Sequence, residues 1–388
     1  MKLVIVGFGQ CGGRIADGFA RLNKKARSQR GIEIIPGTFA VNTDTADLTG
    51  LSTIKADYRH RILIGGERTR GHGVAKLNEL AADIAREDGD KVIDAIRSTK
   101  RFYETDAFML VAGSAGGTGS GALPVMINMI KERYADKPVY AIIVLPFEHE
   151  ESEKRTLYNT AVCLKSVYSV ADAVFLIDNQ RYIRKDTSLR NNVAKINEMI
   201  IEPFYNILCA GEEKKARRIG TKVLDAGDII QTLSGWTAIG YGQSHIPLIK
   251  LPFGLSNFKR KSTETHKGIQ AMDETLSELS VRCSAGDAAT ALYLVSAPVQ
   301  EMNVDLIKEL GDYLRDIAPN AVIRSGDYPG SRGEMNITVI VSQLRDVEKV
   351  REYYNKSADI LADIKNQEAT INEASVTEED SKDLPTLL

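Results

Sequence analysis

The sequence predicts an α/β protein, with a parallel, doubly wound sheet in its first half and a smaller α/β unit in its second. Three observations carry this expectation. Short apolar runs alternate with amphipathic stretches through the first 180 residues or so, the pattern of a parallel sheet wrapped by helices. Two of those runs feed glycine-rich loops, GFGQCGG at Gly7 to Gly13 and AGSAGGTGSGA at Ala112 to Ala122, and each loop opens a helical pattern. Beyond residue 290, strand-like runs flank one amphipathic helix.

In order, the strand candidates are Lys2-Val6, Thr38-Val41, Phe108-Ala112, Val139-Leu145 and Ala173-Ile177. Helices are expected at 12–23, 74–98, 122–134 and 154–170. The third shows the reason: Leu123, Met126, Ile127 and Ile130 recur at i, i+3, i+4, i+7 and make one apolar stripe. A longer helix follows at 189–210, where Val193, Ile196, Ile200 and Phe204 keep one face and Pro203 allows a kink. The second unit has strands at Ala291-Ala297, Ala321-Arg324 and Ile337-Val341, around a helix carrying Leu306, Ile307, Leu310 and Leu314.

The glycine loops point to phosphate. Glycine has no Cβ and tolerates positive φ, so backbone N–H groups can approach an anion closely, and a following helix N-terminus adds partial positive charge. Taken alone, Gly7-x-Gly9-x-x-Gly12 after a strand also fits a dinucleotide fingerprint, with Glu33 about twenty residues on as a ribose-binding acid. An NAD-dependent oxidoreductase is therefore one reading. It leaves the second loop without a task, whereas two phosphate cradles suit a nucleoside triphosphate. No G-x-x-x-x-G-K-[ST] loop is present, which argues against a P-loop enzyme.

Composition narrows the classes. With 388 residues and 43% apolar content the chain can fill two cores. A net charge of -2 gives no drive toward nucleic acid or an anionic membrane, and lacks the acidity expected in molar salt, so a non-halophilic source is expected. Cys11, Cys163, Cys209 and Cys283 have no metal-ligand spacing, so reduced thiols and no zinc are expected. No apolar run reaches the ~18 residues that span a bilayer, and no leader precedes the first strand, so a cytoplasmic protein is expected. Residues 366–388 hold six acidic residues and one lysine before an apolar ending, the composition of a disordered tail.

Together the motifs resemble those of the tubulin/FtsZ superfamily of GTPases. The signature GGGTG[ST]G stands here as Ala115-Gly116-Gly117-Thr118-Gly119-Ser120-Gly121, with alanine for its first glycine. Gly9-Gln-Cys-Gly-Gly13 is similar to the tubulin-type first loop, and Phe39-Ala-Val-Asn-Thr-Asp44 to the FtsZ-type second loop. That blend resembles the archaeal CetZ group, and the likeness extends over most of residues 1 to 345. It implies a Rossmann-like GTPase domain at 1–188, a central helix at 189–212, a C-terminal domain at 213–360 and a tail at 361–388. It further implies GTP/GDP and Mg2+ as ligands, and head-to-tail filaments with lateral sheets. Those filaments would lie in the cytoplasm, beneath the membrane or at mid-cell, in control of cell shape. An FtsZ-type division GTPase is the near alternative, and the tail is a candidate contact for a membrane tether or adaptor.

The resemblance also implies site residues. Gln10, Cys11, Gly12, Gly13 and Arg14 would wrap the α and β phosphates, with Gly116, Gly117, Thr118, Gly119 and Ser120 closing from the other side. Gly71-His72-Gly73 matches the TRGLG loop beside the γ-phosphate, and His72 alone reads as an exposed loop residue. Asn42 and Asp44 fall near the γ-phosphate, with Asp44 reaching magnesium through water or serving only its turn. Asn179 and Asn197 stand where guanine is read, and Val193 occupies the place of an aromatic ring. Glu150 or Glu151 would reach the ribose, and Arg155 is a candidate second cation. Val223-Leu-Asp225-Ala-Gly-Asp228-Ile is similar to the NxDxxDV synergy loop, in which Asp225 and Asp228 orient water on a neighbour's GTP. On residues alone the two acids read equally well as an N-cap and an acidic N3 residue, worth roughly 1 kcal/mol.

Overall fold

Strand β1 (Leu3–Phe8) is buried along its whole length and alternates its side chains between two cores, Val4, Val6 and Phe8 to one and Leu3 and Ile5 to the other. A strand covered on both faces must sit inside a layered sheet. The computed structural model describes residues 1–183, 189–215, 218–245, 257–299, 302, 304–330, 334–358 and 360.

Helix α1 (Gly9–Arg30) returns the chain to β2 (Gly37–Asn42). Short helices α2 (Thr45–Thr49) and α3 (Gly66–Thr69) bracket the edge strand β3 (Arg61–Leu63). Then α4 (Asn78–Arg97), β4 (Ala107–Gly113), α5 (Thr118–Arg133), β5 (Val139–Leu145), α6 (Lys154–Val170) and β6 (Ala173–Asp178) alternate. Helix α7 (Leu189–Ala210) and the short α8 (Ala226–Thr232) lead to β7 (Gly235–His245). The remainder is α9 (Asn257–Ser277), β8 (Thr290–Ala297), α10 (Val304–Ile317), β9 (Val322–Pro329), β10 (Glu334–Leu344) and a helix α11 over 348–358.

The ten described strands form one sheet in the order β3-β2-β1-β4-β5-β6-β7-β10-β8-β9. From β3 to β7 every pairing is parallel; β10 runs antiparallel to β7 and β8, and β9 is parallel to β8. The expected second unit is thus continuous with the first, since Ala173, Val174 and Phe175 of β6 pair with Gly235, Trp236 and Thr237 of β7. Helices α1 and α7 cover one face, through Phe19, Ile200 and Phe204, while α4, α5 and α6 cover the other through Ile84, Leu123 and Leu164. The chain therefore reverses winding between β1 and β4, and such a reversal opens a crevice at the carboxyl ends of the two strands.

The expected strands and long helices are present, with two differences. Helix α1 starts at Gly9 and α5 at Thr118, inside the glycine runs, because packing against the sheet outweighs glycine's poor helix propensity. Strands β3 and β7 and helix α9 were not expected from the sequence. The acidic tail at 361–388 lies outside the described residues.

Asp17 anchors the segment after α2. Its carboxylate, 3% exposed, accepts from the Thr53 and Ile54 amides at 2.6 and 2.8 Å, the Ser52 hydroxyl at 2.9 Å and Arg21 at 2.9 Å. Burial opposes ionisation, yet these donors hold the carboxyl below the usual range. A depressed folded pKa contributes stability above the unfolded pKa and loses it as pH falls. Asp17→Asn is expected to lower stability by about 2 kcal/mol at neutral pH in urea unfolding, a gap that closes below about pH 4.

Candidate nucleotide-binding site

The crevice between β1 and β4 is a cavity of about 510 Å³. Two helix N-termini face it. Phe8 precedes α1 and Gly117 precedes α5, neither helix has a side-chain cap, and neither carries an acid in its first turn. Gly9, Gln10 and Cys11 line one side, and Gly117, Thr118 and Gly119 the other. The first N–H groups of both helices lack intrahelical partners, so a ring of donors points at one space, which is the requirement for binding phosphate. A larger cleft of about 660 Å³ lies between α7, β7 and α9, but Glu198, Glu202, Glu274 and Glu278 line it, which disfavours an anion.

Two glycines make the convergence sterically feasible. Gly9 has φ +69°, and a Cβ on it would come within 3.1 Å of the Gly119 nitrogen, so only glycine lets the loops meet. A Cβ on Gly12 would lie 2.1 Å from the Val111 carbonyl oxygen, so this residue seats α1 on β4. The loops are also tied to the segment after β2, where the Thr43 and Thr118 hydroxyls hydrogen-bond at 2.7 Å.

That segment forms one wall. Buried Asn42 donates its amide to Asp47 Oδ2 at 3.0 Å and accepts from the Thr43 and Asp44 amides at 2.8 and 3.2 Å. Gln10 donates to Asp47 Oδ1 at 2.7 Å, so Asp47, which the sequence reading missed, joins the first glycine loop to this wall. Asp44 caps α2 through Oδ1, accepting from the Ala46 and Asp47 amides. Its Oδ2 has no hydrogen-bond partner among the described residues. His72 is exposed, as expected of a loop histidine, and bridges to Asp44 through the backbone.

At the far end of the cavity stand Asn179, Asn197, Val193, Ile196 and Phe147. Neither asparagine amide has a hydrogen-bond partner among the described residues, so both are free to meet the edge of a base. Val193 is in the wall, as placed by the sequence, and Phe147 supplies an aromatic surface there that the sequence reading did not assign. Arg14 lines the cavity and makes no ion pair among the described residues. Burial pushes the neighbouring Cys11 thiol up to about 12, with Arg14 opposing and Glu150 adding to the shift, so the thiol stays protonated at neutral pH.

Several expected residues stand elsewhere. Gly12 and Gly13 pack behind the wall. Gly71 accepts from the Thr45 amide at 3.0 Å and shapes the loop without lining the cavity. Ser120 turns back to the Gly116 and Gly117 carbonyls. Arg155 is held by the Lys76 carbonyl at 3.2 Å, Asn78 at 3.0 Å and Glu79, away from the cavity. Lys76, which was not expected, lines the cavity while pairing with Glu153. Glu150 and Glu151 separate: Glu150 lines the cavity and caps the Phe147 amide at 2.9 Å. Glu151 faces α11, accepting from Tyr353 at 2.7 Å and Lys356 at 2.9 Å and pairing with Lys349 at 2.8 Å. Burial opposes its ionisation, but these three partners hold the carboxyl below the usual range.

Asp225 and Asp228 do not approach the cavity. Asp225 caps α8, accepting from the Asp228 amide at 2.9 Å, while Asp228 reaches back to the Asp225 amide at 3.5 Å. The capping reading of these acids is realised. Helix α8 ends just before β7, whose first residue pairs with the first residue of β6. The acids therefore lie at the amino-terminal edge of the parallel strands, and the glycine loops at the carboxyl edge. Glu33, the ribose acid of the NAD reading, precedes β2 and pairs with Arg27 and Arg101, at the wrong end of the sheet for the crevice.

Comparison with known proteins agrees with this geometry. Residues 2–185 match the Tubulin/FtsZ family, GTPase domain, and residues 186–359 match Tubulin-like CetZ, C-terminal domain. The chain is 32% identical over 367 residues to Tubulin-like protein CetZ1 of Haloferax volcanii, covering 91% of this chain and 90% of that one. Among solved structures it is similar to a GDP-bound monomer of Haloferax volcanii CetZ1, at 28% identity and TM-score 0.79, covering 93% of this chain and 100% of that one. It is likewise similar to a GTPγS-bound protofilament of CetZ2 from the same organism, at 27% identity and TM-score 0.80, covering 94% and 100%.

The two adjacent glutamates give opposite expectations. Glu150→Ala should weaken nucleotide binding about three- to tenfold in a calorimetric titration, the worth of one hydrogen bond. Glu151→Ala should leave affinity within twofold and lower the thermal midpoint, because it frees α11.

Proposed function

The chain belongs to the Tubulin/FtsZ family and carries a CetZ-type C-terminal domain, and from that premise we propose that it binds and hydrolyses GTP while assembling head to tail into filaments. The observation that carries this reading is the split site: uncapped helix N-termini at one edge of the sheet, an exposed pair of carboxylates at the other. One subunit holds the two halves at opposite edges of its sheet, apart from each other. Stacking the carboxyl edge of one copy on the amino edge of the next brings them together, and such a heterologous contact propagates as a filament.

Within the crevice, the N–H groups at the starts of α1 and α5 would cradle the phosphates, with Arg14 adding charge. Asn179 and Asn197 would meet the guanine edge, Phe147 and Ile196 its faces, and Glu150 the ribose. The unpartnered Asp44 Oδ2 suits a hard cation held through water. No group of three or more His, Cys, Asp or Glu among the described residues could hold a metal ion alone, so Mg2+ would depend on phosphate and water for its other ligands. When bound, it supplies neutralisation of phosphate charge. Asp225 and Asp228 would orient the attacking water on the nucleotide of the adjoining subunit.

The CetZ resemblance supports a role in cell shape, and depletion that blocks septation while leaving shape unchanged would assign the protein to division instead. No described helix is long and apolar enough to cross a membrane.

Turnover per molecule is expected to rise above a threshold protein concentration shared with light scattering. Asp225→Asn, which keeps the helix cap, and Asp225→Ala, which removes it at a cost of roughly 1 kcal/mol, should both bind GTP and form filaments but hydrolyse slowly. Concentration-independent turnover, or full activity in both variants, would refute the shared site.

A further inference from the structure

The acidic loop is built on β9. The Thr221 and Lys222 amides donate to the two carboxylate oxygens of Asp327 at 2.8 and 2.5 Å, and the Asp327 amide donates to the Lys222 carbonyl at 3.0 Å. Asp327 is 2% exposed and Leu224 1%, so the segment leading into Asp225 is fixed to this strand by buried contacts.

On the same strand, Arg324 reaches α8. Its Nη2 donates to Gln231 Oε1 at 2.7 Å, and its Nε lies 3.6 Å from Asp228 Oδ1. Asp228 and Gln231 are three residues apart and share a helix face, so one guanidinium engages both. Its third nitrogen, Nη1, is buried and has no partner among the described residues. A partly desolvated guanidinium needs a counter-charge, and among the described residues Asp228 is the carboxylate paired with it. The other contact on the Asp228 carboxylate comes from the neutral Asp225 amide at 3.5 Å, so among the described residues Arg324 supplies the full positive charge beside it.

We propose that Arg324 is a positioning residue for the interfacial reaction, aiming the Asp228 carboxylate out of its capping role toward the water it orients. The inference rests on the role given above to Asp225 and Asp228. It makes β9 part of the hydrolytic machinery: Asp327 sets where the loop lies, and Arg324 sets where its second acid points. The hydrogen bond to Gln231 holds the planar guanidinium in place, and its charge then draws the Asp228 carboxylate toward one side of α8.

The test compares Arg324→Gln, Arg324→Lys and Asp228→Asn in the full chain, measuring GTP turnover per assembled subunit beside critical concentration, nucleotide affinity and thermal midpoint. Arg324→Gln is expected to lower turnover about tenfold with critical concentration and affinity within twofold, and Arg324→Lys to recover part of the loss by restoring the charge. Combining Arg324→Gln with Asp228→Asn should be no slower than Asp228→Asn alone, since coupled residues are non-additive. Full turnover in Arg324→Gln while Asp228→Asn is slow would overturn this inference and leave the shared site standing. Turnover that falls only in step with critical concentration or thermal midpoint would overturn it too, by making Arg324 merely structural. Full activity in Asp228→Asn and in both Asp225 variants would refute the shared site itself.

Discussion

The structure depends on bringing two helix N-termini to one crevice without giving either a side-chain cap. Left alone, such ends expose unsatisfied N–H groups and cost stability, and most helices satisfy them with Ser, Thr, Asp or Asn. Here α1 and α5 leave adjacent parallel strands on opposite faces of the sheet, so both sets of donors converge. The surrounding architecture serves that convergence. Gly12 lets α1 settle on β4, Gly9 lets the loops touch, and the Thr43 to Thr118 hydrogen bond ties the next loop to them.

The walls show a division between groups that build the cavity and groups left free in it. Asn42 and Asp47 consume their hydrogen-bonding capacity on each other, Gln10 and the loop amides, which makes them framework. Asn179, Asn197, Arg14 and one oxygen of Asp44 have no such partners among the described residues. Their free capacity is what a nucleotide can use. The same logic separates the adjacent glutamates: Glu151 is committed to Tyr353, Lys349 and Lys356, while Glu150 faces the cavity. Consecutive residues thereby connect the nucleotide wall to helix α11.

Because the parallel strands all point one way, the fold has two chemically different edges. The carboxyl edge carries donors for an anion, and the amino edge carries Asp225 and Asp228. The second half of the chain continues the sheet through β7 and lays β9 beneath the acidic loop. Positioning at that edge is a matter of few contacts, since a short helix such as α8 is held by what packs against it. A loop pinned by a buried carboxylate and an acid met by a guanidinium give that edge its definition.

The sequence by itself determined the alternating α/β order, the two glycine loops, the α7 span and the family resemblance. These are local signals, carried by periodicity and motif, and they need no knowledge of what packs where. The family resemblance also pointed to Asn179, Asn197, Val193, Asp44 and Gly117 to Gly119, and these residues line the crevice. Only the tertiary structure decided the rest. Strand β7, with three glycines in GWTAIGYGQSH, has little pattern of its own and exists by pairing with β6 and β10. The helix starts inside glycine runs, the capture of Arg155 by Glu79, the parting of Glu150 from Glu151, and the meeting of Arg324 with Asp228 join residues up to 205 positions apart. No local pattern encodes such meetings, because side-chain partners are chosen by packing once the sheet has assembled.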